Sequence, residues 1–151
     1  MKNNFGFTLI ELIVAITIGM LVVGFGSVSL NNFFENQKVE SIKQELMSNL
    51  RFARNYAATN QFASNGNSLL VIINNDGLMT SKSYKKDGTL IGIVSTKNIG
   101  QKGVSIAVDK SIKFSVTDGR SINGVVVVTI TGSSGMTKKI KIDESGLIYE
   151  E

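Results

Sequence analysis

The chain of 151 residues contains no cysteine, no histidine, no proline and no tryptophan. Without cysteine there is no disulfide, no thiol nucleophile and no thiolate metal ligand. Without histidine there is no imidazole base for a catalytic triad, and Cys/His zinc sites and His-ligated haem are excluded as well. Without proline, no helix is forced to break at a missing N–H and a clashing ring. Charge of one sign is not in large excess either: 16 Lys+Arg stand against 12 Asp+Glu, a formal +4. The lysines are scattered, so the basic balance alone points only weakly to nucleic acid. What remains is 42% hydrophobic and 19% charged, enough apolar material to bury a core in a chain the length of one domain.

The apolar residues are unevenly spread. No charged residue occurs between Glu11 and Glu35, and the stretch from Leu12 to Leu30 is almost continuously apolar. A bilayer-spanning helix needs ~20 predominantly apolar residues, and 7–30 satisfies this if Glu11 can be accommodated. A soluble amphipathic helix would keep a polar stripe, whereas here the apolar residues run all the way round. A secretory signal would show a small-residue cleavage site after the apolar run, and none follows Phe25, so the segment is expected to stay attached. Glu11 is the anomaly, because an ionised carboxylate in an apolar helix is costly and persists with a partner or a function. No Lys, Arg or His lies in the run, so the compensating positive charge is expected from a chain terminus or another molecule.

Glu11 belongs to Gly6-Phe7-Thr8-Leu9-Ile10-Glu11-Leu12, preceded by the short polar leader Met1-Lys2-Asn3-Asn4-Phe5. This combination, followed at once by the apolar run, resembles the N-terminal signal of type IV prepilins and pseudopilins. The resemblance implies that a prepilin peptidase cuts between Gly6 and Phe7 and methylates the amine of Phe7. It also implies that Glu11 acts in assembly, setting register by neutralising the new ammonium of a neighbouring subunit. Glycine at the cut has a physical reason, since a residue without a side chain lets catalytic groups approach the backbone most closely.

Beyond the polar residues 31–38, Val39, Ile42, Leu46, Leu50, Ala53 and Ala57 recur at spacings of three and four, one face of an amphipathic helix. Met47, Phe52 and Tyr56 widen the stripe. Lys43, Glu45, Arg51 and Arg54 fall mostly outside it and are expected on a solvated face. One helix is expected from Phe7 to about Phe62, with any bend arising at Gly19, Gly24 or Gly26. After Gly66 the pattern changes to alternation and short apolar runs. Strands are expected at Leu69–Ile73, Leu78–Tyr84, Leu90–Val94, Val104–Val108, Ile112–Val116, Val125–Thr131, Lys138–Ile142 and Leu147–Tyr149. Turns rich in Asp, Ser and Gly separate most of them. The expected fold class is α+β, a long N-terminal transmembrane or spine helix packed on an antiparallel β-sheet head, as in pilins. The expected parts are a leader at 1–6, a transmembrane half of the helix at 7–30, an amphipathic half at 31–62 and a β-rich head at 67–151.

No pair of carboxylates is placed for acid–base work, the Asp/Gly turns lack the spaced ligands of an EF-hand, and no glycine run opens a helix. The sequence therefore predicts no enzymatic activity, no cofactor and no metal site. The helix end Leu50-Arg51-Phe52-Ala53-Arg54-Asn55-Tyr56-Ala57 and the order of the last strands resemble minor pseudopilins of the general-secretion H and fimbrial T type. That resemblance implies a structural subunit at or near the tip of a type II secretion pseudopilus or a type IV pilus. It would be single-pass in the bacterial cytoplasmic membrane with its head outside the cytoplasm, and its partners would be prepilin peptidase, other pilins and, before assembly, membrane lipid. The alternative is a DNA-binding minor pilin of a DNA-uptake system, using Lys82, Lys85, Lys86, Lys97, Lys102, Lys110, Lys113, Lys138, Lys139 and Lys141. The terminal Glu150-Glu151 disfavours nucleic acid as a partner. A major pilin is disfavoured by the missing cysteines and the missing helix proline.

Overall fold

The computed structural model describes residues 8–59, 68–74 and 76–151, with backbone alone for 25–29. Helix α1 runs Leu9–Thr59, 51 residues. The chain divides into two units, Met1–Phe34 and Glu35–Glu151, with the boundary inside α1.

In the first unit the apolar side chains from Leu9 to Val23 are exposed. Thr17, a polar residue within this run, donates its hydroxyl to the Ile13 carbonyl one turn back at 2.8 Å, which satisfies the hydroxyl without help from solvent. Among the described residues no helix is long and apolar enough to cross a membrane. The side chains of the apolar run are described as far as Gly24, short of the ~20 residues that a crossing requires. The transmembrane half expected over 7–30 is therefore not displayed.

In the second unit α1 is followed by eight strands among the described residues: β1 Ser68–Ile73, β2 Leu78–Tyr84, β3 Leu90–Asn98, β4 Val104–Val108, β5 Ile112–Ser115, β6 Val126–Gly132, β7 Thr137–Ile142 and β8 Ile148–Glu150. Each lies where alternation predicts a strand, with ends shifted by a residue at most places. β3 is the exception, continuing to Asn98 because Thr96, Lys97 and Asn98 pair with Thr80, Met79 and Leu78. The predicted single head sheet is a pair of four-stranded sheets, β3-β2-β1-β5 and β4-β6-β7-β8. All strand pairings are antiparallel. The division arises because β5 pairs back with β1, while β6 takes the place between β4 and β7.

The core of this unit joins the stripe of α1, Val39, Ile42, Leu46, Leu50, Ala53 and Ala57, to the inward residues of both sheets. Leu69, Val71, Ile112 and Phe114 come from one sheet, and Ile106, Val128, Ile130 and Ile140 from the other. The stripe is the helical solution to burying apolar residues at spacings of three and four, and the strands alternate inward and outward with period two. Two turns close around the end of the helix. Gly146 has φ +81°, and a Cβ there would collide with the Gly119 carbonyl oxygen and press on Arg54 Nε, so the turn before β8 accepts only glycine.

Two expectations for charged residues are corrected. Lys43 is only 4% exposed, not solvated. Its ammonium pairs with Glu40 at 2.7 Å and with Glu150 of β8 at 2.5 Å. Arg54 is partly covered, with Nε buried and unpaired. Both side chains emerge beside the apolar stripe, where long aliphatic stems can be covered while the head seeks a partner.

Candidate assembly site at the helix start

The resemblance to prepilins implies processing at Gly6 and Phe7 and a role in assembly for Glu11. Gly6 and Phe7 lie outside the described residues. Glu11 is exposed in the first turn of α1. Its Oε2 accepts the Thr8 N–H at 2.8 Å and the Thr8 hydroxyl at 2.8 Å, while its own N–H donates to Thr8 Oγ1 at 3.3 Å. The Leu12 N–H donates to the Thr8 carbonyl at 3.2 Å, the first helical hydrogen bond. Thr8 is thus the N-cap and Glu11 the N3 partner of a reciprocal capping box. A carboxylate there also faces the positive end of the helix dipole.

Glu11 therefore has hydrogen-bond partners within its own segment, a role that its charge alone does not predict. The Thr-x-x-Glu spacing before an apolar run was the signal that could have found it. The charge of Glu11 is held but not neutralised, because hydrogen bonds from a neutral threonine leave the carboxylate anionic. Ile10, Val14, Ala15 and Ile18 line an open apolar surface beside it. An exposed anion is thus set in an apolar surface at the start of a helix, an arrangement suited to receiving a cation as that surface is covered.

The ten lysines expected for a nucleic-acid face do not form one surface. Lys138 pairs with Glu150 at 3.2 Å and Lys141 with Glu151 at 3.5 Å, and the Lys110 ammonium donates to the Val125 carbonyl at 3.4 Å. Hydrogen bonds from Lys43 and then Lys138 hold the Glu150 carboxyl below its usual range. Burial acts to lower the Lys43 pKa, but hydrogen bonds to Glu150 and Glu40 outweigh it and raise the ammonium above its usual value. At the other end of the unit, Glu35 accepts the Ser133 hydroxyl at 2.6 Å and the Ser134 N–H at 2.7 Å, which lowers its pKa and ties the β6–β7 turn to α1. Lys85, Lys86 and Lys113, by contrast, line one depression with Ser68, Leu70, Tyr84 and Gly88.

Residues 1–27 match the family described as the prokaryotic N-terminal methylation motif. The start of the chain thus has the signature of a type IV prepilin-like protein, which implies processing by a prepilin peptidase and assembly with other pilins. Such a motif suggests a structural subunit rather than an enzyme. The α+β architecture with antiparallel sheets is consistent with a pilin-like fold. No curated protein and no solved structure matches the chain.

Proposed function

We propose that this chain is a minor pseudopilin, a structural subunit added at or near the tip of a type II secretion pseudopilus or a type IV pilus. The observation that carries the reading is the methylation motif over residues 1–27. The exposed apolar run and the Glu11 carboxylate at the helix start support it. In this reading residues 1–6 are the leader and 7–30 hold the subunit in the cytoplasmic membrane with the N-terminus inside. Residues 31–62 are the amphipathic half of the helix, and 67–151 form a head outside the cytoplasm.

Cutting after Gly6 would create an ammonium at Phe7, about one helical turn from Glu11. In the free subunit Thr8 holds the carboxylate. In the filament the carboxylate of one subunit would meet the methylated ammonium of the next, and any other register would leave both charges unpaired in apolar surroundings. The pair would thus act on register more than on stability. Glu150 and Glu151 engage Lys43, Lys138 and Lys141, which takes Lys138 and Lys141 out of the lysine set that DNA capture would use.

Intact mass measurement of protein from a peptidase-positive host tests the processing. The expected product has lost Met1–Gly6 and gained one methyl group, and a chain retaining Met1–Gly6 would refute it. Glu11→Ala is expected to leave membrane insertion and cleavage unchanged while lowering the share of protein in sheared filaments. Glu11→Gln should recover part of that loss, because an amide accepts hydrogen bonds but carries no charge. Equal incorporation of wild type, Ala and Gln would remove the register role.

A further inference from the structure

We propose that the outer face of the β3-β2-β1-β5 sheet is a docking surface for an anionic lipid bilayer. Strand registers place Ile93, Lys82, Leu70 and Lys113 in one row across the four strands. With ~4.8 Å between strands, the two lysines flank Leu70 at about 10 Å from each other. Tyr84 and Leu90 are paired in a neighbouring row. Lys85 and Lys86 follow directly in the turn, and with Lys113 and Tyr84 they line a depression of about 330 Å³.

Most of the charge on this face is uncompensated. None of its four strands contains Asp or Glu. Asp87, in the β2–β3 turn, accepts the Thr89 N–H at 2.9 Å and stays anionic, offsetting part of the Lys85 charge and leaving the face basic by three. Among the described residues, Lys82, Lys85, Lys86 and Lys113 make no ion pair, whereas Lys138 and Lys141 of the other sheet are paired with glutamates. A partner for the four lysines must therefore bring the negative charge.

The aliphatic residues beside the lysines identify that partner. Ile93 is 63% exposed and Leu90 49%, and the Lys82 and Lys113 side chains are half-buried on the sheet. Aliphatic groups alternating with lysines that can extend their heads, beside a tyrosine, suit the boundary between headgroups and acyl chains. A nucleic-acid strand would gain little from these aliphatic groups and would use stacking aromatics, of which this face has one. A second copy offers Asp118 and Glu144 on adjoining turns, but Asp118 is already paired with Arg120 at 3.2 Å, which leaves too little free negative charge there for four lysines.

The inference rests on the proposed membrane-held subunit, and the test separates the two. The full chain is placed in nanodiscs of phosphatidylcholine alone or with phosphatidylglycerol, and amide exchange is followed in peptides covering 82–93 and 112–115. Phosphatidylglycerol is expected to slow exchange there several-fold. Added salt should remove that protection, because exposed charges are screened beyond ~8 Å at physiological ionic strength and beyond less at higher salt. Each lysine near an anionic surface is worth about fivefold in partitioning, so changing Lys82, Lys85, Lys86 and Lys113 to Glu together should abolish the protection. Unchanged exchange in β6 and β7 shows that the variant is folded, and the pair Lys82→Gln and Lys113→Gln gives a milder step should it not be. Equal exchange in both discs, or protection insensitive to salt and to these substitutions, would overturn the docking surface alone. Protection of the same peptides by an oligonucleotide in neutral discs would overturn it in favour of nucleic acid. A chain that stays out of both discs would overturn the membrane reading together with it.

Discussion

Leu9–Gly24 and Val39–Ala57 belong to the same helix, and both are rich in aliphatic residues, yet the first stretch is exposed and the second supplies a stripe of fully buried side chains. The difference lies in arrangement. Around Leu9–Gly24 the apolar residues face every direction, so a single neighbouring layer could cover only part of them. In Val39–Ala57 they recur at three and four, and one face can be sealed by two sheets while the opposite face stays polar. An apolar residue therefore stabilises this chain according to what covers it. In the second half the cover is built into the same unit, and in the first half it must come from outside.

Removing one leucine from each half gives the largest contrast. Leu46→Ala leaves a cavity in the core and is expected to cost about 2–5 kcal/mol, read as a lower urea midpoint of the detergent-solubilised chain. Leu21→Ala, at an exposed position, should stay within about 0.5 kcal/mol in the same assay. A comparable loss from both would mean that the first half is packed within the subunit.

Gly146→Ala sharpens the comparison at the far end of the buried half. The added methyl meets the Gly119 carbonyl and Arg54 at a residue with positive φ, and strain of this kind costs about 1–3 kcal/mol. Thermal unfolding should show it, with Gly88→Ala as a control, because that residue also has positive φ but open space around it. If the two variants lose the same stability, backbone strain alone accounts for the effect, and packing of the turn on the helix does not.

The smallest expected effect is electrostatic and depends on pH. Hydrogen bonds from Lys43 lower the folded-state pKa of Glu150, and its hydrogen bonds to Glu150 and Glu40 raise that of Lys43. The carboxylate contribution is thus present above its unfolded value and lost as pH falls through the lowered folded value. The lysine contribution is present below its unfolded value and lost as pH rises through the raised one. Glu150→Gln should therefore reduce stability between about pH 6 and 9, with the difference fading below about pH 4 as the carboxylate titrates. Chemical unfolding at pH 3, 7 and 9 checks it, and a deficit equally large at pH 3 would place the effect in packing.

Much of the second unit was legible residue by residue. The spacing of Val39, Ile42, Leu46, Leu50, Ala53 and Ala57 alone puts them on one helical face, and all six are buried. Leu78–Tyr84 and Val104–Val108 were bounded to the residue, because alternation ends where turn residues begin. The cap at Thr8 is legible too, in the Thr-x-x-Glu spacing before an apolar run, and it acts independently of the charge of Glu11. The extension of β3 was not legible, since Ser95-Thr96-Lys97-Asn98 has no apolar alternation and is held by pairing with β2.

The sequence by itself determined the periodicities, the turn positions and the N-terminal motif, because these depend on residues within a few positions of one another. The tertiary structure decided which strands became neighbours, since β5 pairs with β1 across three intervening strands in the chain and β6 enters between β4 and β7. It also decided that Lys43 is buried, because the carboxylate of Glu150 that pairs with it arrives from the last strand. It gathered Lys82, Lys85, Lys86 and Lys113 on one sheet while leaving Lys138 and Lys141 paired elsewhere. Long-range pairing follows from which apolar faces can be covered together, and that depends on the whole chain at once.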